Sequence, residues 1–212
     1  MKGFFSYDSW YGRLMVGITN CCYLFVLWVL FSLPVVTIGA STCAFYYTFS
    51  KVIIKERDYI GRSFIKSFKE NFIQATGVFL LQIAIFFILG LSSYYLILFK
   101  GNFKDFFSWV FIGCVTIVYI WTRYWFPYIS CFADKTRTVL KNCLMIMVGN
   151  IPWTFLILVL FAIWLLVIYK YTGWFLISWV AYMALNGLIF NHILKKYMPP
   201  EIEDNDSNEE IE

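Results

Sequence analysis

The residues that could do chemistry inside the apolar segments of this chain are neutral: the amides of Asn20, Gln74, Gln82, Asn150, Asn186 and Asn191, and the hydroxyls of Thr37, Ser41 and Thr42. A reaction needs a convergent set of titratable groups, and no charged residue occurs between the ends of these segments. Two titratable residues stand at their edges. Arg123 lies among Trp121, Tyr124, Trp125 and Tyr128, a setting that predicts a side chain reaching to the membrane surface; a buried functional arginine is the sharper alternative. His192 is the one histidine, and an interface position with a backbone partner is expected for it. There is no HExxH, no GxSxG and no phosphate-cradling glycine loop. The six cysteines (Cys21, Cys22, Cys43, Cys114, Cys131, Cys143) form no CxxC and read as small hydrophobes. The expectation is therefore no enzyme, no catalytic residue, no cofactor and no metal. Neutral amides and hydroxyls suit passage of a neutral solute such as a sugar, wherever a broken helix brings them to mid-membrane. Pro34 to Thr42 is such a broken, hydroxyl-bearing stretch; its alternative reading is a turn whose small residues pack two helices.

These residues are embedded in a chain that is 61% hydrophobic, 22% aromatic and 14% charged, with mean hydropathy +0.70. A soluble domain of 212 residues has no interior large enough for that much apolar surface, whereas a polytopic membrane protein leaves it facing lipid. Residues 200–212 hold seven acidic groups and no basic one, so residues 1–199 carry 17 basic against 6 acidic, a net +11. In a membrane protein that excess encodes orientation rather than affinity for nucleic acid. No apolar run begins before Leu14, so a cleaved signal peptide is not expected.

The architecture expected is all-α, with six transmembrane helices arranged as three hairpins in one membrane domain, residues 1–199, followed by an acidic, disordered tail over 200–212. The spans are placed at about 14–33, 37–54, 72–99, 106–126, 145–169 and 173–194. Basic connectors fall at 55–71 and 129–144. The stretch Leu14–Ser50 decides the count, because its 37 residues contain no charge and would run ~55 Å as one helix, against a hydrocarbon core of ~30 Å. It is either one span with an apolar appendage, five spans in all, or two spans folded at Pro34. Gly39/Cys43 and Ala40/Ala44, each four apart, predict a second helix packed closely on the first. Ile60, Phe64, Phe68 and Phe72 recur every four residues, the pattern either of a helix lying in the headgroup region or of a plain basic connector. Asn150 and Pro152 place a kink or a shallow helix before the fifth crossing.

Charge favours six. With both termini on one side, that side collects fourteen Lys and Arg, and the other holds Lys100, Lys104 and Lys170; a five-span chain divides them twelve to five. Either way the basic connectors and the acidic tail are cytoplasmic.

Four strings carry a resemblance: SLPVVTIGAST (Ser32–Thr42), SFKENFIQAT (Ser67–Thr76), FPY (Phe126–Tyr128), and LKN with NIP (Leu140–Asn142, Asn150–Pro152). In order and spacing over about residues 10–195, the chain resembles the YesL-like family of bacterial integral membrane proteins, whose function is unassigned. That family commonly places a basic residue shortly after the proline matching Pro127; here the place reads ISCF, with Cys131. The resemblance implies the plasma membrane of Gram-positive-type bacteria and genes beside carbohydrate ABC importers, glycoside hydrolases and sensor-kinase pairs. It points to packing or partner contact for Pro34, Thr37, Gly39, Ser41, Thr42, Arg123, Pro127, Asn142, Asn150 and Pro152. The function expected is an accessory or regulatory subunit of carbohydrate uptake or its sensing, partnered by the lipid bilayer and by an ABC-transporter subunit or sensor kinase. The alternative is a transporter of a small neutral solute.

Overall fold

The chain-breaking residues set where each helix ends. The computed structural model describes residues 10–54, 59–98, 101, 103–171 and 175–198, and in these every regular element is helical. Helix α1 (Trp10–Phe31) stops ahead of Leu33-Pro34, a 3-10 turn covers Val35–Thr37, and α2 (Ile38–Thr48) follows, running on into a π-helical turn over Phe49–Ile54. Then come α3 (Ile60–Leu98), α4 (Lys104–Arg123), α5 (Trp125–Cys131), α6 (Thr136–Gly149), α7 (Ile151–Lys170) and α8 (Phe175–Lys195).

Two breaks follow from proline geometry. A proline ring clashes with the carbonyl four residues back and offers no N–H to it. Pro127 stands four residues after Arg123, where α4 ends; Pro152 stands four after Val148, and α6 ends one residue later at Gly149. Asn150 between α6 and α7 takes φ −127°, ψ 48°.

The acidic tail, residues 172–174 and most of the junction after Ile54 lie outside the described residues. Within them, α4 with α5 (Lys104–Cys131), α3 and α7 are each long and apolar enough to cross a bilayer, and α1 adds a shorter apolar run, Met15–Phe31. The chain is a multi-pass membrane protein, and the bilayer is its surrounding. In the most apolar windows of α3, α4–α5 and α7 only 11%, 11% and 6% of residues are buried. Their faces point outward to lipid.

Helix α2 is the opposite case. Gly39, Ala40, Ser41, Cys43, Ala44, Phe45, Tyr46 and Thr48 are all buried, and α1, α3, α5 and the π turn pack around it. The second half of the charge-free stretch is thus the core of the bundle. Its small-residue face does not close mainly on α1, as a tight hairpin would require; its most extensive partner is α3. A Cβ on Gly39 would stand 2.5 Å from the Ala75 carbonyl oxygen and 2.6 Å from Phe79 Cβ, so only glycine permits this approach. On the far side, a Cβ on Gly187 of α8 would stand 2.7 Å from the Phe49 ring.

Helix α3 runs unbroken for 39 residues, ~58 Å at 1.5 Å per residue. The 60–72 stripe is the start of this helix rather than a separate headgroup element or a connector. Phe64 and Phe68 meet the Phe31 ring at 5.3 and 5.0 Å, and Phe64 is fully buried. The stripe faces protein, with Arg62, Lys66, Lys69 and Glu70 exposed on other faces. The 129–144 connector comprises the end of α5, a short loop and most of α6, and the following apolar helix begins at Ile151 rather than 145.

Candidate functional site

Three clusters bring the polar residues together. The first is a clip around Asp134, in the loop between α5 and α6. The Tyr128 hydroxyl donates to Asp134 Oδ2 at 2.5 Å, and Asn142 Nδ2 donates to the Tyr128 hydroxyl at 2.7 Å. Gln74 Nε2 donates to the Asp134 carbonyl oxygen at 2.6 Å. Three strings distant in sequence, through Gln74, Tyr128 and Asn142, therefore meet at one loop. Each donor satisfies a group that would otherwise be costly to leave unpaired. Pro127 is buried beside this clip within α5. Nearby, the Cys143 thiol of α6 donates to the Tyr124 carbonyl oxygen at 3.5 Å; burial pushes that thiol's pKa up, so it stays protonated and unreactive.

The second cluster surrounds Arg123. Its Nη2 donates to the Tyr182 hydroxyl at 2.8 Å, and its guanidinium carbon lies 5.6 Å from the Tyr119 ring centre and 5.3 Å from that of Tyr182. The Tyr119 and Tyr182 hydroxyls are 3.4 Å apart, and the Tyr119 ring lies tilted at 4.4 Å from that of Phe161, midway along α7. The arginine does not reach for the surface. Side chains lean toward the N-terminal end of their helix, and Arg123 is the last residue of α4, so it leans back over Tyr119 into the bundle. Its Nε is buried with no hydrogen-bond partner among the described residues.

The third cluster joins the start of α7 to the end of α8. Asn150 Nδ2 donates to the Ile146 carbonyl oxygen at 2.9 Å and to the Tyr197 hydroxyl at 2.8 Å. The Trp153 and His192 rings are 4.7 Å apart. With Ile193, Lys195 and Lys196 these residues line a cavity of about 360 Å³. Pro152 is exposed in the first turn of α7.

Pro34 to Thr42 forms no cluster of open hydroxyls. Pro34 is exposed in the turn, and the Thr37 hydroxyl lies 2.6 Å from both the Phe31 and Pro34 carbonyl oxygens, its one proton shared between them. Thr42 donates to the Ile38 carbonyl oxygen at 2.7 Å and accepts from Trp28 Nε1 at 3.2 Å. Ser41 is buried with its hydroxyl unpartnered among the described residues. No group of three His, Cys, Asp or Glu that could hold a metal ion occurs among the described residues.

Tyr182, Tyr119, Asp134 and Tyr197 complete these clusters without any spacing that marks them in the sequence. Tyr128 had a signal, as the last letter of FPY.

Comparison with known proteins adds a family. Residues 21–93 match the profile described as "Protein of unknown function, DUF624". The matched segment runs from α1 through α2 into α3 and contains the Gly39–Ala75 contact and the first two strings, while FPY, LKN and NIP lie beyond it. No curated protein and no solved structure matches the chain. Over residues 21–93 the chain matches the DUF624 family, the YesL/YteU-like membrane proteins, whose function is unassigned.

Proposed function

We propose that this chain is an accessory or regulatory subunit of the bacterial plasma membrane that docks on a larger assembly for carbohydrate uptake or its sensing, and that it catalyses no reaction itself. One observation carries the docking part. Several motif residues close hydrogen bonds within the chain, at the Asp134 clip and the Asn150 and Thr37 turns, which supports a scaffolding role for them. The outward faces of α3, α4 and α7 are left for lipid and partner helices. The carbohydrate setting comes from the resemblance to the YesL-like family. The arrangement proposed is six crossings with both termini inside, supported by the division of fourteen basic residues against three. Purification of the tagged full-length chain in mild detergent, followed by cross-linking, tests the reading. It expects an ABC-importer subunit or a sensor kinase to be cross-linked; recovery of neither would overturn it.

A second reading, transport of a small neutral solute, is favoured by the Arg123–Tyr119–Tyr182 cluster. Polar groups facing a bundle interior mark solute paths, and this cluster lies level with Phe161, midway along α7. Uptake of labelled sugar by proteoliposomes holding this chain alone would favour this reading over the first.

A further inference from the structure

We propose that the cavity between the N-terminal end of α7 and the C-terminal end of α8 binds a phosphate group, carried by an anionic lipid headgroup or by a small soluble phosphate. Among the described residues its lining, Asn150, Trp153, His192, Ile193, Lys195 and Lys196, contains two lysines and no acidic residue. Helix α7 starts at Ile151, and Asn150 and Trp153 at that end line the recess, so the positive end of the helix dipole lies beside the same space. Lysines at the end of α8 would offset that helix's own negative end without any cavity. The half-open recess shared by the two helix ends is what separates a binding site from plain end-capping.

The site is built in advance. Asn150 is tied to both Ile146 and Tyr197, and the His192 ring lies against that of Trp153 at a tilt, so this part of the wall is held before anything enters. At about 360 Å³ the space falls at the small end of the ~300–1,000 Å³ range of ligand pockets. It suits a headgroup and excludes acyl chains. Hydrocarbon has a different place, the groove of about 580 Å³ between α3 and α4 lined by residues such as Tyr95, Leu96, Phe107 and Val110. Basic pockets between helix ends are a recurrent way of holding lipid phosphates, and tryptophan is at home at that level of the membrane.

The test uses the full-length chain in neutral detergent. One arm titrates dioleoylphosphatidylglycerol against dioleoylphosphatidylcholine by native mass spectrometry; the other follows melting temperature with inorganic phosphate. The expected result is a phosphatidylglycerol preference of about tenfold or a phosphate-dependent rise in melting temperature. The effect should be lost in Lys195→Ala/Lys196→Ala and in Lys196→Glu, and kept in Lys135→Ala/Arg137→Ala, which removes equal charge elsewhere. A response confined to the lipid arm names a headgroup, and a response to inorganic phosphate names a soluble phosphate. Indifference in both arms, or a response that survives loss of the two lysines, would overturn the proposal.

Discussion

Gly39 of α2 lies against the Ala75 backbone of α3, with room for a hydrogen and none for a methyl: a Cβ there would stand 2.5 Å from the Ala75 carbonyl oxygen. Backbone cannot rotate aside, so Gly39→Ala forces the two helices apart. The expected cost is roughly 1–3 kcal/mol, the range for overpacking, read as a lowered melting temperature in detergent. Gly187→Ala meets the Phe49 ring instead and should cost less, because a ring can turn. Gly90→Ala meets nothing within 4 Å and should leave the melting temperature unchanged. Equal effects at all three positions would contradict the close approach of α2 and α3.

The Asp134 clip makes a second prediction. Tyr128→Phe removes the bridge between Asn142 and Asp134 and should cost about 1–3 kcal/mol, since it strands two polar partners. A double-mutant cycle with Asn142→Ala should show coupling of about 0.5–3 kcal/mol. Additive losses would mean that the three residues do not act as a unit.

Arg123 should behave asymmetrically. Its charge has no carboxylate near it among the described residues, being held by Tyr182 and the Tyr119 ring. Removing a buried charge outright is often neutral, whereas removing its partner is not. Arg123→Met is therefore expected within about 1 kcal/mol of the parent, and Tyr182→Phe to lose about 1–3 kcal/mol. Chemical denaturation of the two variants in the same detergent compares them directly. The reverse order would make the guanidinium itself a structural keystone.

Orientation is tested by reporters. One active only in the cytoplasm should work after Lys2 and after Tyr197, and fail when inserted at Gly101. Activity at Gly101 would reverse the proposed topology.

Much of the helix layout was legible because charge and proline punctuate it. The apolar run from Phe72 ends as α3 does, near Leu98, and the chain breaks at Asn150, where Asn150 and Pro152 mark a kink. What covers each helix was not legible. Hydropathy treats a lipid-facing helix and a buried one alike, so α2 looked like any other span although it is the core. Small residues four apart, such as Gly39 and Cys43, announce close approach without naming the partner, which is chiefly α3. The Ile60–Phe72 stripe defined a face, and only the fold shows Phe31 against it. The sequence sets Arg123 among aromatics, but the backward lean of a side chain at a helix C-terminus turns it inward. Tyr182, its main partner, lies 59 residues away with no motif around it.

The unbroken length of α3 has a mechanical consequence. Helix α3 has no proline, π bulge or turn to bend at, its Gly90 and Ser92 standing close to the far end, and it joins the basic end near Arg62 to the aromatic end near Tyr95 in a single rod. A push or twist applied at one end of that rod is delivered at the other, so a partner gripping Arg62 and Lys66 would tilt the far hairpin rather than bend the chain where it enters the bilayer. Phe64 and Phe68, packed on Phe31, are where such a movement would first be felt by the core, and Gly39, seated on that rod at Ala75, comes next.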